Sequence, residues 1–217
     1  WFGTCTYQGA GAIIDNNWVV TTYSAISLAV GTTSLRVRAG TITHDKNGQF
    51  VKVREIKRPG DGSDIALLHL DAPLIFGDFT QPICLPSYDA DVVQAGGRGW
   101  FTSWGHSSPT SITTETYLQE GELNISDNSV CDEFIVGKTK PETQLCAGGF
   151  YVTGGTATCK YDMGGPLMQK RGDTWYLFGL SSTVNYEFST CKQNTVFTRV
   201  EGFCDWFSTT TGIACLN

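Results

Sequence analysis

Apolar and polar residues alternate in short runs along much of this chain, as in Leu35-Arg36-Val37-Arg38 and Val51-Lys52-Val53-Arg54-Glu55-Ile56. A period of two marks half-buried strands, because successive side chains point to opposite faces of a sheet. The 25 glycines and the scattered prolines between the runs supply the turns. Helical periodicity is nearly absent until residues 200–211, which are predicted to form one C-terminal helix. A chain of 217 residues is long enough for one large all-β domain or two small ones. There is no internal repeat, no low-complexity linker and no apolar run long enough to span a bilayer.

Charge and cysteines narrow the picture. The formal charge of −6 and a pI near 5.0 argue against nucleic acid or an anionic membrane as the main partner, and no Lys/Arg run could track phosphates. Arg54, Lys57 and Arg58 form the nearest thing to a basic cluster and read as a solvated strand face. Eight cysteines without a C-x-x-C pair point to an oxidising compartment and disulfides, with no metal or other cofactor implied. Asn124-Ile125-Ser126 is an N-glycosylation sequon and suits a secreted protein.

Residues 159–167 read C-K-Y-D-M-G-G-P-L, a frame that resembles the C-x-G-D-S-G-G-P-L signature of chymotrypsin/trypsin-like serine proteases. The resemblance runs in order through the chain. Residues 18–25, W-V-V-T-T-Y-S-A, look like the family's W-V-L-T-A-A-H-C, and residues 64–70, D-I-A-L-L-H-L, like its D-I-A-L-L-K-L. Residues 82–86 match P-I-C-L-P, 145–148 match L-C-A-G, and 196–200, V-F-T-R-V, are similar to V-Y-T-R-V. The implied fold is all-β, two perpendicular six-stranded antiparallel barrels with a C-terminal helix in a single domain over 1–217. Its expected parts are an N-terminal barrel over 1–80, an inter-barrel linker over 81–95, a C-terminal barrel over 96–202 and a helix over 203–211.

The same resemblance places Ser24 where the family has its histidine base, Asp64 on the aspartate and Met163 on the nucleophile. A thioether has no ionisable proton, so no base can activate Met163. Asp64 is then expected to serve as a buried carboxylate accepting hydrogen bonds from nearby backbone N–H groups. His44, His69 and His106 are read as solvated or locally bonded histidines rather than substitute bases. Tyr161 falls on the oxyanion-hole glycine, where its ring is expected to crowd the site or to face solvent. Ala157 aligns with the base of the specificity pocket, Val184 and Thr195 with its glycine walls and Ser182 with its polar edge. Two β-branched walls would narrow or fill that pocket.

The resemblance also implies disulfides Cys131–Cys146 and Cys159–Cys191. One family pair is lost as a unit to Gly9 and Ala25, and another to Gly99 and Gln169. Cys5, Cys84, Cys204 and Cys215 keep three possible connectivities, and Cys84 could tether an upstream segment. Asp162, which in active relatives pairs with a freed amino terminus, is expected to find other donors, or else the local loops are expected to differ from those of an active protease. The reading that results is a secreted, proteolytically inactive homologue that binds proteins as a regulator, cofactor or decoy in an immune or host-interaction proteolytic cascade. Its partners would be proteases or other cascade components, and the chain itself is expected to be a monomer. The alternatives are a hydrolase using Ser24 or a threonine as nucleophile, and an inert structural or storage protein.

Overall fold

The computed structural model describes residues 5–27, 35–133, 135, 137–149, 157–182, 191 and 194–216. Among them, β1 (Ala12–Asp15), β2 (Trp18–Thr21), β3 (Arg36–Ala39), β4 (Gln49–Lys57) and β5 (Ala66–Leu70) form one antiparallel sheet in the order β1-β2-β5-β4-β3. A second set closes into a barrel. It comprises β6 (Arg98–Ser103), β7 (Gln119–Ser126), β8 (Gln144–Gly148), β9 (Pro166–Arg171), β10 (Thr174–Ser181) and β11 (Thr195–Arg199), ordered β10-β11-β8-β7-β6-β9.

The alternating runs behave as their period requires. On β4, Val53 is buried while Lys52 and Arg54 are exposed, and on β7 Leu123 and Ile125 face the core with Asn124 between them. The all-β class therefore follows from the sequence. In the N-terminal half, five strands are present among the described residues, in a half-barrel with β1 and β3 at its edges. Ala10, Gly11 and Ile13 on one side and Leu35, Val37 and Ala39 on the other line a cavity of about 840 Å³ between those edges.

One buried cluster joins the two halves. Ile65 and Leu67 from the open sheet pack with Leu177 and Leu180 from the barrel and with Phe203 and Phe207 near the C terminus. Burying each such side chain stabilises by roughly 1.5–3 kcal/mol, so this seam fixes how the halves meet. The C-terminal helix α3 (Cys204–Thr211) follows a 3-10 turn (Glu201–Phe203) and stops at Gly212, whose φ of 78° gives the left-handed cap that glycine adopts most readily. Two short helices precede it, α1 (Tyr23–Ile26) and α2 (Asn128–Asp132), the latter capped by the Asp127 carboxylate on the Ser129 amide.

Candidate functional site

The loop before β5 delivers Asp64 to the seam, anchored by Ile65, which is fully buried. Its carboxylate is half-buried and is met by one backbone amide and two side-chain hydroxyls, which corrects the expectation of a buried group held by backbone amides. The Ser24 amide reaches Oδ1 at 2.7 Å, and the hydroxyls of Ser24 and Ser182 reach Oδ2 at 2.7 and 2.6 Å. Ser24 lies in the first turn of α1, where amides lack intrahelical partners and a carboxylate is favoured. Ser182 follows β10, and Thr198 on β11 donates its hydroxyl to the Asp64 carbonyl at 2.7 Å. The Ser24 hydroxyl also lies 3.2 Å from that of Thr22, which donates to the Ser181 carbonyl at 3.4 Å. Asp64 is thereby a junction between the open sheet and the barrel.

None of the three histidines joins this junction. His69 stacks on Trp18, with ring centroids 4.2 Å apart, beside the Arg54 guanidinium, and His44 lies against Tyr7. His106 is 8 % exposed with neither ring nitrogen hydrogen-bonded, which corrects the expectation of a solvated or locally bonded ring. Burial, with Lys160 nearby, holds its pKa below the usual imidazole value, which favours the neutral ring.

Tyr161 explains that burial. Its φ is 67°, a left-handed conformation that glycine adopts freely and a tyrosine takes at a cost of about 1–2 kcal/mol. The ring lies 5.1 Å from His106 and remains 42 % exposed, so it covers His106 from the solvent side. Next to it, Asp162 is buried, with Oδ1 accepting from the Gly105 amide at 3.1 Å and Oδ2 from the Cys159 amide at 2.7 Å. Desolvation outweighs these bonds and one from Ser103, and the carboxyl is pushed up to about 6. Ser103 in turn meets the Tyr7 hydroxyl at 3.3 Å, and burial raises that hydroxyl well above its ordinary range.

Met163 is half-buried and packs against the apolar cluster of the open sheet, which includes Val19, Ala25 and Ile26. Its carbonyl accepts from the Ala10 amide at 2.9 Å. A Cβ on Gly9 would stand 2.6 Å from that carbonyl and 2.8 Å from the Ala25 Cβ, so the Gly9–Ala25 pairing leaves no room for a larger residue there. On the barrel side, the Thr195 hydroxyl is hydrogen-bonded to that of Thr158, both buried, and Ala157 beside them is half-buried. Ser182 turns toward Asp64, and Val184 lies outside the described residues.

Among the described residues, Cys131 bonds Cys146, Cys159 bonds Cys191 and Cys204 bonds Cys215. Of the four cysteines whose pairing was open, Cys5 and Cys84 carry thiols, the first exposed and the second half-buried. Thr22, Thr158, Tyr7 and Ser103 are parts of the site that sequence patterns did not single out. Tyr7 and Ser103 are 96 residues apart, and neither lies in a recognisable motif.

An open β-sheet and a closed β-barrel meeting at a hydroxyl-bonded carboxylate, with a disulfide-tied G-G-P turn alongside, define a serine-protease scaffold. The Trypsin family profile matches residues 1–207, and the chain belongs to that family. It is 31 % identical to human Transmembrane protease serine 5 over 215 residues, covering 92 % of this chain and 45 % of that protein. It is 32 % identical to bovine Coagulation factor XI over 182 residues, covering 79 % of this chain and 28 % of that protein. The chain thus spans less than half the length of these curated relatives.

Proposed function

We propose that this trypsin-family chain does not hydrolyse peptide bonds and acts by binding other proteins, as a secreted regulator, cofactor or decoy in a proteolytic cascade. The observation that carries the reading is the Asp64 junction: a serine amide and two serine hydroxyls fill the carboxylate, and no imidazole lies against it. A carboxylate accepts the Ser24 hydroxyl hydrogen bond without removing its proton, because an alcohol is a far weaker acid. Met163, aligned with the nucleophile, spends its thioether on apolar packing. The buried Thr195 side chain, its hydroxyl bonded to that of Thr158, supports a narrowed specificity pocket, since it stands at one of the two positions aligned with glycine walls.

Secretion is supported by the disulfides and by the sequon at Asn124. That residue lies on β7 between Arg98 of β6 and Gly148 of β8, with its side chain alternating away from buried Leu123 and Ile125. The test is fluorophosphonate labelling of the purified protein, read by intact mass. No adduct is expected at millimolar probe. Stoichiometric labelling, with ester turnover that tracks the labelled fraction, would overturn the proposal.

A further inference from the structure

Strand register assembles a basic face that the linear sequence disperses. Residues 36–58 hold seven of the chain's 15 Lys and Arg but two of its 21 Asp and Glu, a local net of +5 in a chain of −6. In the β3–β4 ladder Arg36 stands opposite Lys52 and Arg38 opposite Phe50. Val37 and Val51 pack inward against the open-sheet core and Val53 is buried, so Arg36, Arg38, Phe50, Lys52 and Arg54 share the outward face.

None of these four cations is paired with a carboxylate among the described residues. Arg38 donates to the Asn47 carbonyl and lies 4.4 Å from the exposed Phe50 ring, and Arg36 lies 5.9 Å from it. Arg54 reaches His69, whose ring stacks on Trp18 at the next strand. Like charges directly opposite on a sheet are destabilising, so Arg36 and Lys52 oppose folding slightly unless an anion sits between them.

We propose that this face docks an acidic segment of a partner protein. Charge complementarity selects an anionic partner. The exposed Phe50 ring between the Arg36 and Arg38 guanidiniums selects a protein segment with apolar side chains over a sulfated polysaccharide, which offers little apolar surface. Carboxylates about 7 Å apart along the partner would match the spacing of alternate cations on one strand face.

The inference builds on the binding role proposed above, and the two fail separately, since fluorophosphonate labelling bears only on catalysis. The probe is a fluorescein-labelled twelve-residue peptide alternating Glu and Phe, followed by anisotropy at 50 and 150 mM NaCl. A Gln/Phe peptide and a sulfated dextran run beside it. The expected result is saturable binding of the acidic peptide alone, weakened by higher salt and about tenfold weaker in Arg36→Gln/Lys52→Gln. Lys138→Gln/Lys170→Gln, with the same loss of charge elsewhere, should bind as the parent does. The Arg36→Gln/Lys52→Gln protein should also melt no lower than the parent, which separates lost docking from lost fold. Equal binding by the two double variants, or a preference for the dextran, would overturn the proposal.

Discussion

Placing a serine at 163 and a histidine at 24 gives the most direct test of the proposed loss of catalysis. Met163→Ser introduces a hydroxyl beside Ala25 and removes a half-buried thioether from the open-sheet cluster. A fully buried methionine contributes roughly 1.5–3 kcal/mol, so half-burial implies a loss of about 1 kcal/mol and a melting shift of about 2–4 °C in a chain of this size. Ser24→His removes one hydroxyl from Asp64 Oδ2 but leaves the backbone amide at position 24 and the Ser182 hydroxyl in place. An imidazole N–H can take the vacated lone pair, so Asp64 is ready to orient it. A positioned base contributes about 10²–10⁴-fold to such a reaction. Labelling rates with a small fluorophosphonate, read by intact mass, should therefore be at background for the parent and for Met163→Ser. The double variant should rise above Met163→Ser by at least about 10²-fold. If Met163→Ser alone labels as fast as the double variant, another base serves the site and the reasoning from Asp64 fails.

Three further outcomes test other parts of the structure. The Asp89 carboxylate is buried and receives Arg199 Nε at 2.8 Å together with Nη2, so Asp89→Ala should destabilise by about 1.5–3 kcal/mol in urea titration, the partly exposed guanidinium keeping the Pro141 carbonyl and Glu201. Asp162 has its carboxyl raised from 3.8 to about 6. A raised folded value favours the protonated form, so its contribution is fully present below about 4 and lost as pH rises through 6, worth about 3 kcal/mol in total. The stability gap between parent and Asp162→Asn, measured by denaturant titration, should change in that window, the parent gaining on the variant as pH falls from 7 to 4. A gap independent of pH would contradict the burial argument. Tyr161→Gly should relieve the left-handed strain and uncover His106, so diethyl pyrocarbonate should modify that ring quickly in the variant and slowly in the parent, as read by peptide mass.

Period-two alternation is a local property, and it carried the strands of the barrel and the outward cations of β4 without any knowledge of topology. The C-terminal helix was legible for the same reason, with Phe203 and Phe207 recurring at helical spacing above Gly212. Register was not legible. Nothing in Leu35-Arg36-Val37-Arg38 says that Arg36 will stand across from Lys52, because the β3–β4 turn that sets it contains Asn47 and Gly48 at positive φ values that the pattern does not encode. The burial of His106 was missed because it depends on Tyr161, a distant residue held in a conformation that residue type rarely takes. Hydroxyl networks such as Thr158–Thr195 and Tyr7–Ser103 escaped for a similar reason, since serine and threonine suit surface and core alike and only three-dimensional proximity decides which.

The persistence of Asp64 without an imidazole partner has a physical cause in this geometry. Its carboxylate holds α1 and the end of β10, and its carbonyl holds β11, so one residue of the open sheet binds three elements across the seam. Charge-assisted hydrogen bonds of this kind contribute about 1.5–3 kcal/mol each, and a substitution that removed the carboxylate would leave the Ser24 and Ser182 donors to find other partners at a half-buried site. The aspartate is therefore constrained by the fold whether or not a proton is ever transferred. The Met163 carbonyl accepts from the Ala10 amide, a bond that any residue at this position supplies. The bonds from Ser24, Ser182 and Thr198 therefore account for an aspartate at this place on structural grounds alone.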